Sequence, residues 1–256
     1  MATSILRPLS LGEILDVSFT LYRRLFVPLL LVTIATRLVP IAVDAYVGNA
    51  GGILEQPGLW LLNVLLSAML GALAAGASTF VVSESYLGRA LPTGRALART
   101  VPYIPRLLVL AMATSLVVML GLVLLLIPGL ILVAGLALGT PALVLEDLGG
   151  IEAMGRSWSL TREYRGKVFI ALLTVGILLF LPGMALGTYA ALARGTAPPG
   201  PSGGGGAYLG LTAAVYLLSS LIYPLLYCVM TVTYYDLRVR KEGFDLEVLA
   251  SGLGHA

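Results

Sequence analysis

The chain has 256 residues, of which 58% are hydrophobic and only 11% are charged, and its mean hydropathy is +0.96. Soluble domains carry about a quarter charged residues, so this composition excludes a soluble globular protein and predicts an integral membrane protein. The net charge of +3 does not indicate nucleic acid, because the basic residues flank apolar segments, where they meet anionic headgroups. Cys228 is the only cysteine, which excludes an internal disulfide and a multi-cysteine metal site.

A polar amphipathic segment, residues 10–23, comes before the first apolar run. It is too polar to cross a bilayer, so we expect a helix that lies in the interface. The chain start lacks the pattern of a cleaved secretory signal, and we expect the first span to be retained. That span runs from about Leu25 to Tyr46 and carries two charged residues, Arg37 and Asp44.

The second predicted span covers residues 59–82 and ends beside Glu84. Its centre has small residues at four-residue spacing: Ala68, Ala72 and Gly76. Small residues let helix backbones approach closely in lipid. This pattern predicts a face that packs against a neighbouring helix.

A second amphipathic segment, residues 88–106, carries four arginines. Residues 107–145 then contain no charge over 39 positions, which suffices for two spans of about 20 residues. We expect the turn between them at Pro128-Gly129. The alternative is one kinked helix followed by a re-entrant piece.

The last third of the chain repeats the pattern. A third amphipathic segment, residues 149–166, precedes a fifth predicted span at 168–192. Residues 196–206 are rich in Gly and Pro and indicate a flexible linker. The sixth predicted span, 208–235, ends at Asp236.

The positive charges predict the orientation. With six spans, fourteen of the sixteen basic residues fall on one side, only Arg194 falls on the other, and Arg37 lies within the membrane. The positive-inside rule then places both termini in the cytoplasm. Because the chain prefers arginine to lysine and is rich in Ala, Leu and Gly, we expect a bacterial protein of the cytoplasmic (inner) membrane.

We therefore predict an all-α integral membrane fold with six transmembrane helices and three cytoplasmic interfacial amphipathic helices. Residues 1–240 form a single membrane domain in this interpretation, and residues 241–256 form a cytoplasmic tail. The segments align as a threefold pseudo-repeat of one interfacial helix and one two-span hairpin, although a chance alignment is the alternative. The expected units are residues 10–87, 88–148 and 149–236.

Several stretches support a family resemblance. They are LRPLSLGEILDVSFTLYRRLF near the start, IPGLIL with PALVLEDLGGIEAMGRSWSL in the middle, and TYYDLRVRKEGFDLEVL near the end. These stretches resemble the bacterial glycerophosphoryl diester phosphodiesterase membrane-domain family. In members that carry the phosphodiesterase, a separate soluble barrel performs the chemistry. The chain ends soon after the last predicted span, so we expect that barrel, and with it the enzymatic activity, to be absent.

No catalytic, cofactor or metal site is predicted. The only histidine, His255, is the penultimate residue, and the sequence contains no GxSxG, HExxH or phosphate-binding glycine motif. An intramembrane enzyme is therefore the least favoured class of function.

Three carboxylates stand at the predicted cytoplasmic ends of spans: Glu84, Glu146 and Asp236. The helix dipole disfavours negative charge there, so nearby cations are expected to compensate. The candidate cations are Arg95, Arg99, Arg156, Arg162, Arg238 and Arg240. Three interpretations are open: pairs that fasten the interfacial helices to the spans, a polar vestibule for an ion or headgroup, and simple exposure to water.

Arg37 is the one basic residue predicted at membrane depth, roughly 20 Å from Arg24 along a helix. It either extends towards the outer interface near Asp44 or faces a substrate or ion inside the bundle.

Two functions remain in consideration. The first is a non-catalytic scaffold or regulatory module of a bacterial envelope or lipid-related assembly. The second is a transporter or channel for a small solute or lipid that uses Arg37 and the three carboxylates. Expected partners are anionic lipid headgroups and other membrane proteins or a second copy of the chain.

Overall fold

Every regular element in the described part of the chain is a helix. The computed structural model describes residues 7–49, 55–196 and 205–243, so most of the predicted tail and linker lies outside the description. A short 3₁₀ turn, Val101–Tyr103, joins α4 to α5. The α-helices are α1 (Leu11–Arg24), α2 (Phe26–Asn49), α3 (Pro57–Tyr86), α4 (Thr93–Thr100), α5 (Ile104–Leu124), α6 (Leu126–Leu136), α7 (Gly139–Leu145), α8 (Gly150–Thr161), α9 (Arg165–Thr196) and α10 (Gly205–Glu242).

Four segments have the length and apolarity of membrane spans: Phe26–Asp44, Pro57–Tyr86, Thr93–Leu124 and Leu126–Leu145. An all-helical, multi-pass membrane protein is thus confirmed. The predicted fifth and sixth spans fall inside α9 and α10, which contain 32 and 38 residues. Six crossings, the inner membrane and the cytoplasmic termini stay predictions.

The three amphipathic segments are helical, as α1, α4 and α8. In α1, a capping box joins Ser10 and Glu13: the Ser10 N–H donates to the Glu13 carboxylate at 2.7 Å, and the Glu13 N–H donates to the Ser10 hydroxyl. In α8, the Gly149 N–H donates to the Glu152 carboxylate at 2.9 Å. These contacts satisfy backbone donors that helix starts leave free. A location of the three helices at the membrane surface stays a prediction.

The hairpin between α5 and α6 turns at a single residue. Leu125 is extended, with φ −155° and ψ 125°, whereas the predicted turn residues Pro128 and Gly129 lie in the first turns of α6. That detail of the prediction is wrong because proline is well tolerated in the first turn of a helix. Gly129 serves close packing instead, since a Cβ there would lie 2.7 Å from the Leu122 Cα.

The second arm of this hairpin is broken between α6 and α7, and α8 satisfies the freed backbone groups. Ser157 donates to the Gly135 carbonyl at 2.8 Å and accepts from the Leu138 N–H at 3.1 Å. Thr161 donates to the same carbonyl at 3.0 Å. Both hydroxyl residues are fully buried. A buried helix break requires such partners, because an unpaired buried N–H or C=O group is costly.

Each predicted unit has a glycine near the start of its amphipathic helix, and these three glycines do not share one structural position. Gly12 and Gly94 stand second in their helices, whereas Gly150 stands first in α8. Only Gly150 is confined: a Cβ there would lie 2.6 Å from the Arg106 carbonyl oxygen, while the other two face open space. The pseudo-repeat stays a prediction, and its third unit is shifted by one residue at this point.

The main core joins α1, α3, α8 and α10. Its fully buried side chains include Ile14, Val82, Leu160 and Tyr234. The large exposed apolar side chains lie along α2, α3, α5 and α9, as expected for helices surrounded by lipid. The core therefore lies at the end of the bundle where the three carboxylates are found.

Candidate functional site

The most buried charged group of the described chain is the carboxylate of Asp236, whose side chain has no exposed surface. It accepts hydrogen bonds from the Lys167 ammonium at 2.6 Å, from the Arg240 guanidinium at 3.1 Å and from the Leu9 backbone N–H at 2.6 Å. The Leu9 carbonyl in turn accepts from Lys167 and Arg240. We call these four residues the Asp236 cluster.

The Asp236 cluster ties three parts of the chain together: the segment before α1, the start of α9 and the end of α10. A buried carboxylate is tolerated only when paired and hydrogen-bonded, and here both oxygens have partners. Lys167 was not among the predicted partners of this carboxylate. The sequence shows a lysine directly before the fifth predicted span, which indicates a cation near the membrane surface. Only the packing of α9 on α10 brings this lysine to Asp236.

A second network forms around Glu146. Its carboxylate accepts from the Arg156 guanidinium at 2.7 Å and from the Tyr234 hydroxyl at 2.6 Å. Arg156 also pairs with Glu242 at 2.5 Å, and Glu242 pairs with Arg238 at 3.0 Å. These five residues are the Glu146 cluster, which fastens α8 to the end of α10. Glu242 and Tyr234 are the members that the sequence reasoning missed.

The charges of the Glu146 cluster support each other. Burial opposes the charged form of Arg156, but the hydrogen bonds to Glu146 and Glu242 outweigh burial and raise the pKa of the guanidinium. Burial alone would raise the pKa of the Glu242 carboxyl. The hydrogen bonds from Arg238 and Arg156 outweigh burial and lower that pKa overall. Both groups are therefore held in their ionised forms.

The third carboxylate, Glu84, is paired near the end of α3. It contacts Arg89 at 3.0 Å and Arg99 of α4 at 3.4 Å. The Arg99 guanidinium also lies over the Phe80 ring, 4.4 Å from its centroid. We call Glu84, Arg89 and Arg99 the Glu84 cluster. It fastens α4 to α3, although both arginines keep more than half of their side-chain surface exposed.

Two of the predicted compensating arginines do not reach a carboxylate. Arg95 on α4 and Arg162 after α8 are exposed, and neither makes an ion pair with another described residue. Arg238 reaches Glu242 rather than Asp236. The carboxylates therefore draw on only part of the predicted set, and the remaining cations point to the surface.

Arg37 and Asp44 do not pair with each other in the described contacts. The Arg37 guanidinium lies 4.8 Å from the centroid of the Tyr223 ring on α10, and the residue is partly exposed. Asp44 accepts a hydrogen bond from the Asn63 amide of α3. Arg37 thus joins α2 to α10, while Asp44 joins α2 to α3.

A cavity of about 670 Å³ lies between α3, α5, α6, α9 and α10. The small residues Ala68 and Ala72 line it. Two of the three positions of the predicted packing face are nevertheless packed: Ala72 is buried in one cluster with Leu107 of α5, and a Cβ at Gly76 would lie 2.4 Å from the Thr100 methyl group. The lining is mostly apolar and includes the hydroxyl residues Ser115 and Thr140. Arg37 and the three carboxylates do not line this cavity.

The described residues contain no group of three or more His, Cys, Asp and Glu side chains that could hold a metal ion. The three clusters consist of ion pairs and hydrogen bonds that close on themselves. Their arrangement can hold helices together.

Comparison with known proteins places the chain in a family. A family model described as "Domain of unknown function (DUF7847)" matches residues 20–237. The chain belongs to this family. It is also 41% identical over 66 residues to the UPF0259 membrane protein SG1383 of Sodalis glossinidius, a match that covers 26% of this chain and 26% of that protein. The matching segment therefore spans about a quarter of the relative's length, and no solved structure matches the chain significantly.

The resemblance to the glycerophosphoryl diester phosphodiesterase membrane-domain family is wrong, because the family that matches across the chain is a different one. The stretches that suggested it encode local helix structure. IPG lies in the first turns of α6, and EDLGG surrounds the capped start of α8. These two stretches therefore encode the starts of two helices.

Proposed function

We propose that the protein is a non-catalytic membrane scaffold or regulatory module of a bacterial envelope or lipid-related assembly. The observation that supports this most is that each of Glu84, Glu146 and Asp236 is paired with a cation from another element. The partial match to a UPF0259 membrane protein supports the membrane location.

Ion pairs between helices favour the interpretation that the three carboxylates hold helices together, rather than that they line a polar vestibule. The side chains of Asp236, Glu146 and Glu84 are 0%, 18% and 20% exposed, so little of any carboxylate is available to a solute. An ion or headgroup that bound there would have to displace a guanidinium or an ammonium. Such displacement leaves a buried charge uncompensated, which is strongly unfavourable.

The surface that remains for partners is basic. Arg95 and Arg162 are exposed and make no ion pair with a described residue. In the proposed orientation, with both termini in the cytoplasm, these cations face the anionic headgroups of the inner leaflet and the acidic surfaces of neighbouring membrane proteins or of a second copy. Acidic partners are the chemistry that this surface fits.

Photo-crosslinking in native membranes tests the scaffold. A photoreactive residue is placed at Arg95, and a matched control is placed at Leu178, an exposed apolar position on α9. We expect discrete protein adducts from the first position and mainly lipid adducts from the second. Protein-dependent solute flux into liposomes, together with no protein adduct at Arg95, would overturn the proposal.

Transport is the second candidate, and the 670 Å³ cavity is the observation that favours it. Its apolar lining suits an apolar molecule or a lipid chain better than an ion. An Ala68→Leu variant fills part of the cavity and is expected to abolish any such flux. An Arg37→Leu variant that inserts normally and keeps full flux would exclude a role for Arg37 in this candidate function.

A further inference from the structure

A second, shallower cavity lies on the lipid-exposed side of α6 and α9. It is a groove of about 210 Å³, lined by Ile127, Leu130, Ile131, Ala134, Phe169, Gly166 and Arg165. Ile127 is 72% exposed and Ile131 is 42% exposed, so the groove opens towards the surroundings of the bundle. For a membrane span, those surroundings are acyl chains.

One cation stands at the end of this groove. Arg165 is the first residue of α9, and its guanidinium lies 3.6 Å from the centroid of the Trp158 ring. Its Nε lies near Gly135, where a Cβ would be 3.7 Å from it. Arg165 is therefore level with the end of α6, roughly 12 Å along the helix from Ile127.

Arg165 differs from most of the half-buried cations of the described chain; among them, only Arg37, which lies over the Tyr223 ring, also makes no ion pair with a described residue. Lys167, Arg156 and Arg240 all have carboxylate partners. Arg165 makes no ion pair with a described residue, and its buried Nε has no hydrogen-bond partner. A partly buried cation without an anionic partner is unfavourable, so this position calls for an acceptor from outside the described residues.

We propose that this groove binds one anionic phospholipid, with its phosphate on Arg165 and an acyl chain along α6 and α9. Arginine is suited to phosphate because its guanidinium offers several donors in one plane. Trp158 favours the same depth, because tryptophan prefers the boundary between headgroups and chains. The exposed Arg162, three residues away in the chain, adds positive potential. This site stands independently of the scaffold role.

Tryptophan fluorescence can report lipid binding at this groove directly. The chain has two tryptophans, Trp60 and Trp158. Trp60 lies near the start of α3, and a Trp60→Phe variant leaves Trp158 as the only tryptophan fluorophore. In vesicles of phosphatidylcholine, part of the lipid is replaced by brominated phosphatidylglycerol or, separately, by brominated phosphatidylcholine. Bromine quenches tryptophan only at close range, so quenching of Trp158 reports which lipid occupies the groove.

We expect brominated phosphatidylglycerol to quench Trp158 at a mole fraction roughly fivefold lower than brominated phosphatidylcholine does, the ratio expected for one basic residue at an anionic surface. Arg165→Gln is expected to remove this preference. Arg95→Gln, which neutralises an exposed arginine on α4, is the matched control and is expected to keep it. Leu130→Phe, which fills the groove and leaves the charge intact, is expected to weaken the preference.

Three results would overturn the proposal. The first is equal quenching by the two brominated lipids in the Trp60→Phe protein, a result that needs no further variant to fold. The second is a preference that survives Arg165→Gln in protein that still elutes as a single species. The third is loss of the preference on addition of inorganic phosphate alone, which would assign a free-anion site instead of a lipid site.

Discussion

The Asp236 carboxylate accepts a hydrogen bond at 2.6 Å from the backbone N–H of Leu9, a residue 227 positions away in the chain. This contact closes the bundle, because it joins the segment before the first helix to the end of the last one. Lys167 and Arg240 then bind both the carboxylate and the Leu9 carbonyl. The segment before α1 and the end of α10 are thus held together by one buried group of charges.

Asp236→Asn is expected to destabilise the protein. The amide cannot balance Lys167 and Arg240, and breaking a buried charge pair in this way costs about 3–5 kcal/mol. Thermal unfolding of the detergent-purified protein measures the loss. The matched control is Glu163→Gln, whose side chain is 71% exposed and lies 3.8 Å from Lys241. That exchange is expected to change stability by less than about 0.5 kcal/mol, and equal losses in the two variants would contradict the role of Asp236.

The break between α6 and α7 gives a second prediction. Ser157→Ala removes the acceptor of the Leu138 N–H and one donor to the Gly135 carbonyl, both in a buried site. A buried backbone group without a partner costs about 1–3 kcal/mol. The midpoint temperature of thermal unfolding is therefore expected to be lower in Ser157→Ala than in the unsubstituted protein.

Ser159→Ala is the matched control for this experiment. Its hydroxyl is exposed and donates only to the carbonyl of Arg156 within the same helix. Little change is expected there. If Ser159→Ala destabilised the protein as much as Ser157→Ala, then helix propensity would explain both effects and the capping role would be wrong.

The sequence predicted the helices and several of the carboxylate–cation pairs. The other pairs depend on how each helix is rotated against its neighbours. Arg99 and Arg156 lie close along the chain to Glu84 and Glu146, so their pairing was within reach of the sequence. Lys167 and Tyr234 reach their carboxylates across 69 and 88 positions. Such contacts depend on how α9 and α10 pack, which a periodic apolar pattern does not specify.

The cavity beside α3 also shows that a sequence pattern does not specify how a helix packs. Small residues at four-residue spacing permit close packing, but they also leave space when no neighbour fills it. Gly76 meets Thr100 and Ala72 is buried in one cluster with Leu107, whereas Ala68 is exposed in the cavity. One spacing in the sequence therefore has two structural outcomes along the same helix.

Acid is expected to weaken the start of α1. The hydrogen bond from the Ser10 backbone, followed by that from the Arg7 side chain, lowers the pKa of Glu13 from 4.5 to about 2. The contribution of Glu13 is therefore complete above pH 4.5 and is lost as the pH falls through about 2. Thermal unfolding of the protein and of Glu13→Gln, followed from neutral pH downwards, measures this. The stability difference between the two proteins is expected to shrink below pH 4.5, and a difference independent of pH would contradict the assignment.

The six-span topology makes the most far-reaching prediction. Cys228 is buried and is the only cysteine, so Cys228→Ser provides a background for single-cysteine labelling. In that background, Glu55→Cys and Ser202→Cys are expected to react with a membrane-impermeant maleimide from the same side, and Arg95→Cys from the opposite side. The physical reason is the positive-inside rule: the arginine-rich segment stays in the cytoplasm while the two connectors that lack this charge cross to the outer side.

Comparison of intact cells with cells whose inner face has been opened assigns each label to a compartment. Six crossings require a specific labelling pattern. Glu55→Cys and Ser202→Cys react in intact cells, and Arg95→Cys reacts only after the membrane is opened. The four segments that have the length and apolarity of membrane spans extend from α2 to α7. If Glu55→Cys and Ser202→Cys reacted from different sides, α9 and α10 would not both cross the membrane, and the basic face of the proposed scaffold would no longer lie in a single compartment.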